Sequence, residues 1–273
     1  MTGSFCVCGN KEILPDGKVP EFFKNVSADL ILCVFHGIIR AYYQEESKMN
    51  IKGFEVNFLG DSITFGVGVS DIQNCRYDNR IAKMLELSKV NNHSVNGSRL
   101  AHQTFPSAKP WYDLCFCGRA YDMDTNADMV IVYGGVNDYI HGDAPFGELG
   151  DTTPATFCGG VYYLMNYLRE TYGDKPVIFM TPARCFLRHE VDDLFPSVHA
   201  AKRVPGKPLK AYADAISETA KQFDIKVLDL YNDLGVDPHI PEQFEKYTTD
   251  GLHFNDEGHA LIAGKLKDLI ESM

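Results

Sequence analysis

The chain runs to 273 residues, 45% of them hydrophobic, with 26 lysine and arginine residues against 37 aspartate and glutamate, a formal net charge of −11. That length supplies one large buried core or two small ones. The acidic balance argues against nucleic acid, whose phosphates it would repel, and leaves small neutral substrates open.

The longest apolar run, 30–39, is interrupted by His36 and Gly37 and is too short to cross a bilayer, so no membrane span is expected. The first residues show no basic region followed by an apolar one, and a cytoplasmic location is the expectation. Eight cysteines fall at 6, 8, 33, 75, 115, 117, 158 and 185. Their two Cys-x-Cys pairs lack the usual zinc spacing and no histidine pair completes a site, so reduced thiols and no metal are expected.

Residues 1–48 differ in character from the remainder of the chain, which reads as an N-terminal extension over 1–48 and a main domain over 49–273. The segment 10–20 is turn-rich, and 28–43 is spaced for one helix with Leu30, Val34, Ile38 and Tyr42 near one face. Two readings of the extension stand. It is a helical addition to the domain, or it is a translated leader. For the second, codons for Gln44, Glu45 and Glu46 can spell a purine-rich ribosome-binding sequence just before Met49, which would then be the start.

From residue 50 strands and helices alternate. A first strand is expected over 54–59, ended by Gly60. A helix around 79–87 puts Ile81, Met84 and Leu85 at helical spacing, and a weak second strand near 90–95 leads into Asn96, Gly97 and Ser98. The run DMVIVY, 128–133, predicts a strong third strand closed by Gly134 and Gly135. A clear amphipathic helix comes next over 157–170, with Val161, Leu164, Met165 and Leu168 on one face. The fourth strand is expected over 176–181, then a helix over 208–223 with proline in its first turn, then a fifth strand over 225–230. The last helix begins near Asn255, a good N-cap followed by two acids. Five strands separated by helices imply an α/β fold with a mostly parallel, doubly wound sheet and right-handed crossovers. The long connections 99–127, 138–156 and 182–207 are expected to shape a pocket.

Polar residues collect at one edge of that sheet. Ser62 follows the first strand, Gly97 the second, Asn137 the third, and Asp250 with His253 the fifth. By itself Ser62 reads equally well as the capping residue of a strand-to-helix turn. The company it keeps argues for chemistry. Serine is a weak nucleophile that needs a base, a neutral histidine is that base, and a carboxylate on its other nitrogen fixes the tautomer. An asparagine amide with backbone N–H groups would serve a developing oxyanion. The other candidates carry plainer readings. His93, His102, His141, His189, His199, His239 and His259 read as surface or loop residues rather than ligands. Trp111 and Tyr112 either line a sugar or acyl pocket or shield the core. Arg184, Arg188 and His189 fit a salt-bridged loop better than a site for a carboxylate-bearing substrate.

The segments GDSIT (60–64), NGS (96–98), GGVND (134–138) and DGLH (250–253) resemble, in order, the four blocks of the SGNH hydrolases, also called GDSL esterases/lipases. The resemblance implies a flavodoxin-like three-layer α/β/α sandwich with a five-stranded, mostly parallel sheet. It makes Ser62 the nucleophile and Asp250 and His253 the rest of a triad, with Ser62, Gly97 and Asn137 forming the oxyanion hole. One departure is Ser94, where family members often have glycine. Asp61 and Asp138 also match block positions and read as turn-forming supports for the backbone. The function implied is a serine esterase with no metal or organic cofactor, acting on a small-molecule ester, with a lean towards acetyl groups on carbohydrate. Lysophospholipase or thioesterase activity is the alternative within the family. A flavodoxin-like protein using 60–68 as a phosphate loop would leave Asp250 and His253 unexplained, and the stretch lacks the glycine spacing such loops need. A non-catalytic carbohydrate-binding relative is disfavoured by the intact set of residues.

Overall fold

Alternation of buried side chains along the central strands decides how the layers stack. The computed structural model describes residues 49–106, 110–187 and 206–273. The expected helix at 28–43 and both readings of 1–48 lie outside the described residues, as do Arg188, His189 and His199. Strands β1 (Glu55–Gly60), β2 (Lys89–Ser94), β3 (Met129–Tyr133), β4 (Val177–Met180) and β5 (Lys226–Leu228) pair in the order β2-β1-β3-β4-β5. Every pair is parallel, so the sheet is parallel throughout rather than mostly.

Four longer helices cover it: α1 (Tyr77–Met84), α2 (Phe157–Tyr172), α3 (Leu209–Gln222) and α4 (Asp256–Glu271). Successive strand residues point to opposite faces. Val130 and Val132 of β3, with Val177 and Phe179 of β4, pack against Leu164 of α2 and Ile216 of α3. Met129, Ile131 and Tyr133, with Ile178 and Met180, pack instead against Ile81 of α1 and Leu266 of α4. Each such side chain, fully buried, contributes about 1.5–3 kcal/mol. Burial on both faces is why β3 reads as an unbroken apolar run. The result is a three-layer α/β/α sandwich.

Two differences from the expected boundaries have local causes. The fifth strand stops at Leu228 because the Asp229 side chain caps a turn of helix, Leu230–Asp233, by accepting from the Asn232 N–H. Helix α1 ends at Met84 because Glu86 adopts a positive φ of 52°, and the Leu87 N–H turns back onto the Ala82 carbonyl at 3.0 Å. The register also sets the geometry of the site. Gly60 pairs with Ser94 on one side and Tyr133 on the other, so residues 61, 95 and 134 leave the sheet at one level.

Candidate active site

In an open parallel sheet a crevice forms where the connections from neighbouring strands diverge to opposite faces. Here that point lies at the carboxyl ends of β1 and β3. Gly60 ends β1 where a Cβ would sit 2.0 Å from Thr64 Oγ1, so only glycine allows the turn. Asp61 then caps a short helical turn, Ser62–Phe65, by accepting from the Ile63 N–H at 3.0 Å. Ser62 is the first residue of that turn and is mostly buried.

His253 arrives from the loop just before helix α4. His253 Nε2 lies 2.9 Å from Ser62 Oγ, and its Nδ1 lies 2.7 Å from Asp250 Oδ2. The other Asp250 oxygen accepts from the Leu252 and His253 N–H groups at 2.9 and 2.7 Å. Partial burial raises the Asp250 carboxyl. The hydrogen bond and charge of His253, with the two N–H groups, outweigh that and bring it down to about 2. An ionised Asp250 accepts a hydrogen bond from Nδ1–H and so keeps the proton on Nδ1, which leaves the Nε2 lone pair facing the Ser62 hydroxyl. The loop is pinned where it enters helix α4: the Thr249 N–H donates to the His253 carbonyl at 2.9 Å, and Asn255 caps the helix.

Gly97 and Asn137 complete one wall. Gly97 has a φ of 71°, and a Cβ there would fall 2.1 Å from the Tyr112 ring. Asn137 lies in the turn Val136–Ile140 and donates from Nδ2 to Asp61 Oδ2 and to the Ser98 carbonyl, both at 3.1 Å. Asp138 accepts from the Leu100 and Ala101 N–H groups at 2.8 and 3.0 Å, which ties the loop after β2 to the turn after β3. Asp61 and Asp138 are thus backbone supports, as expected, but Asp61 also holds a side chain of the site. Among the described residues, the N–H groups of Ser62 and Gly97 have no backbone acceptor. Ser62, Gly97, Asn137 and His253 share one cavity of 180 Å³, whose apolar walls include Val67, Ile140 and Leu252.

Tyr112 lines this cavity, in line with the pocket reading, while Trp111 is half exposed and meets Tyr112 edge to face. Arg184 pairs with Asp237 at 3.2 Å and stacks on Tyr231, the salt-bridged alternative. Ser94 donates to Asn92 Oδ1 and leaves Gly97 in the cavity. Three histidines depart from the surface-or-loop reading, the first being His93, which lies half-buried within strand β2. His259 is fully buried, accepts from the Tyr77 N–H at 3.2 Å, and is pushed by burial down to about 3, so it is neutral. His141 lines the cavity itself; its spacing of four from Asn137 was the available signal. Arg119 gave none. It is buried and donates to the Gly60 carbonyl at 3.0 Å, to Ser98 Oγ at 2.8 Å and to the His93 carbonyl, clamping the ends of β1 and β2. Among the described residues no cluster of His, Cys, Asp and Glu is arranged to hold a metal ion.

The sequence model of the GDSL-like lipase/acylhydrolase family matches residues 58–261, the span that contains all of these groups except the flanking strand start and helix end. The chain belongs to this family. Like other GDSL-like hydrolases it is an ester hydrolase. It is similar to the solved structure of a Lactobacillus plantarum protein at 29% identity, covering 81% of this chain and 98% of that one with a TM-score of 0.68. It also shares its fold with a possible lipase from Chitinophaga pinensis DSM 2588, at 21% identity over 79% of this chain and 97% of that one, TM-score 0.55. A carbohydrate acetylesterase family member from Sinorhizobium meliloti matches at 18% identity over 80% and 97%, TM-score 0.54. A search of the curated proteins finds no match.

Proposed function

We propose that this GDSL-like hydrolase cleaves carboxylic esters through an acyl-serine intermediate on Ser62, with short acyl groups, acetyl foremost, as its substrates. The observation that carries the reading is His253 bridging Ser62 and Asp250 at 2.9 and 2.7 Å. His253 Nε2 takes the Ser62 proton as Oγ attacks the ester carbonyl, and Asp250 stabilises the imidazolium that forms. The carbonyl oxygen gains charge and is received by the Ser62 and Gly97 N–H groups and by Asn137 Nδ2. Both Asn137 amide hydrogens have acceptors at 3.1 Å at rest, so donation to the oxyanion draws one of them from the Ser98 carbonyl or shares it. His253 passes its proton to the departing alcohol, then activates a water that releases the acid and frees Ser62. The chain's own side chains, backbone N–H groups and water suffice for these steps. The small cavity with Val67, Ile140 and Leu252 on its walls supports a short acyl group. An acetylated carbohydrate is the alcohol portion towards which the reading leans.

Labelling with a fluorophosphonate probe tests the nucleophile, since only an activated serine reacts. The wild type is expected to be labelled and to hydrolyse p-nitrophenyl acetate faster than p-nitrophenyl octanoate. Ser62→Ala should lose labelling and turnover while unfolding at the wild-type temperature. Substantial turnover in a folded Ser62→Ala protein would remove Ser62 as the nucleophile.

A further inference from the structure

We propose that His141 is a positioning residue that holds the Asn137 carboxamide in its donating orientation. The inference rests on the reading of Asn137 as a donor to the oxyanion. Asn137 and His141 lie four residues apart across one helical turn, so their side chains share a face. His141 Nε2 lies 3.0 Å from Asn137 Oδ1. A carboxamide oxygen only accepts, so the proton between them belongs to Nε2. On the other side of the ring, Arg99 Nη1 lies 3.2 Å from Nδ1, and a guanidinium only donates. Nδ1 therefore carries the lone pair. Two independent neighbours require the same neutral tautomer.

That tautomer in turn fixes the amide. Were Asn137 flipped, its NH₂ group would face the Nε2–H donor, and its oxygen would face the Asp61 carboxylate and the Ser98 carbonyl. All three contacts would then be repulsive. With Oδ1 held by His141, Nδ2 is the atom that faces the Ser98 carbonyl and Asp61, the residue next to Ser62. Accepting a hydrogen bond at Oδ1 also polarises the amide and strengthens Nδ2 as a donor. The ring itself is fixed. It stacks on Tyr112 with centroids 5.0 Å apart and planes inclined by 28°. Arg99 is anchored by Asp113 Oδ1 at 2.7 Å and the Tyr112 carbonyl at 3.1 Å, and donates to the His141 carbonyl at 3.3 Å. His141 thus connects the loop after β2 to the turn after β3 through one polar chain.

Two substitutions separate positioning from packing. His141→Phe keeps the stack on Tyr112 and removes the donor. His141→Gln gives up the ring but retains an N–H for Asn137 and a carbonyl for Arg99. Steady-state hydrolysis of p-nitrophenyl acetate would be measured for both, for Asn137→Ala, and for the His141→Phe/Asn137→Ala pair, with thermal unfolding of each. His141→Phe is expected to lower kcat by about 10- to 100-fold, the cost of a misplaced group, with KM nearly constant. His141→Gln should recover most of that loss, and His141→Phe should cost nothing further once Asn137 is alanine. Packing alone predicts the reverse order, with phenylalanine tolerated and glutamine not. That order, or an additive loss in the double variant, would overturn the proposal. A kcat loss in Asn137→Ala with none in His141→Phe sinks this inference and spares the donor reading. Wild-type kcat in a folded Asn137→Ala protein sinks both.

Discussion

Asp61 occupies an expensive position: a fully buried carboxyl directly before the proposed nucleophile. Burial raises it from 3.8 to about 6, against the pull of the Ile63 N–H and the charges of His253 and Arg119. Its folded state therefore binds the proton more tightly than the unfolded chain does between about pH 4 and 6, and stability falls as pH rises through that window. The rise from 3.8 to about 6 corresponds to about 3 kcal/mol of stability lost by neutral pH. His259 acts in the opposite sense. Its value is depressed from 6.5 to about 3, so stability rises with pH over the same range, and by the larger shift. The wild-type profile should therefore rise towards neutrality in spite of Asp61. Only a difference measurement exposes the carboxylate. Asp61→Asn should gain roughly 1–3 kcal/mol relative to wild type between pH 4 and pH 7 in urea unfolding. Its kcat should fall, because Asn137 loses a charged acceptor. An equal stability difference at both pH values would mean that Asp61 does not titrate as described.

At the level of elements, the N-terminus of α4 couples stability to the site. Asn255 accepts from the Glu257 and Gly258 N–H groups, both at 3.1 Å, two residues after His253. Its own N–H donates to the Tyr247 carbonyl at 3.0 Å. Asn255→Ala should cost about 1 kcal/mol in urea unfolding, the ordinary value of a cap, and should also lower kcat. A stability loss with kcat intact would show that His253 is held independently of the helix. This cap was legible in the sequence, as were β3 and α2, because each is a contiguous pattern: N-D-E, DMVIVY, apolar residues at helical spacing. The edge strand β2 was faint because KVNNHS is polar and only partly buried; pairing with β1 makes it a strand. Ser62, Asn137, Asp250 and His253 were legible because each sits in a short motif beside a turn glycine. Arg119 was not, and His141 showed only its spacing of four from Asn137. Nothing in FCGRA or NDYIH states that Gly60, Ser98 or Arg99 will be their partners, since those contacts exist only once the sheet edge is assembled.

On the scale of the whole molecule, the hydrogen bond between Ser62 and His253 spans 191 residues of sequence. Between them lie every crossover of the sheet after β1, and His253 is seated only when α4 packs through Ile262, Leu266 and Ile270 on the face shared with Tyr77 and Ile81. Loop closure over such a distance is unfavourable until the intervening contacts repay it. A chain cut after residue 255 should therefore show no fluorophosphonate labelling at Ser62, even though Ser62, Gly97 and Asn137 are all present. Labelling of that fragment would mean that the serine is activated without a seated histidine. During synthesis Ser62 leaves the ribosome 191 residues ahead of His253. On the proposed mechanism the nascent polypeptide is hydrolytically silent until α4 has folded and seated His253, so folding of that helix switches the enzyme on.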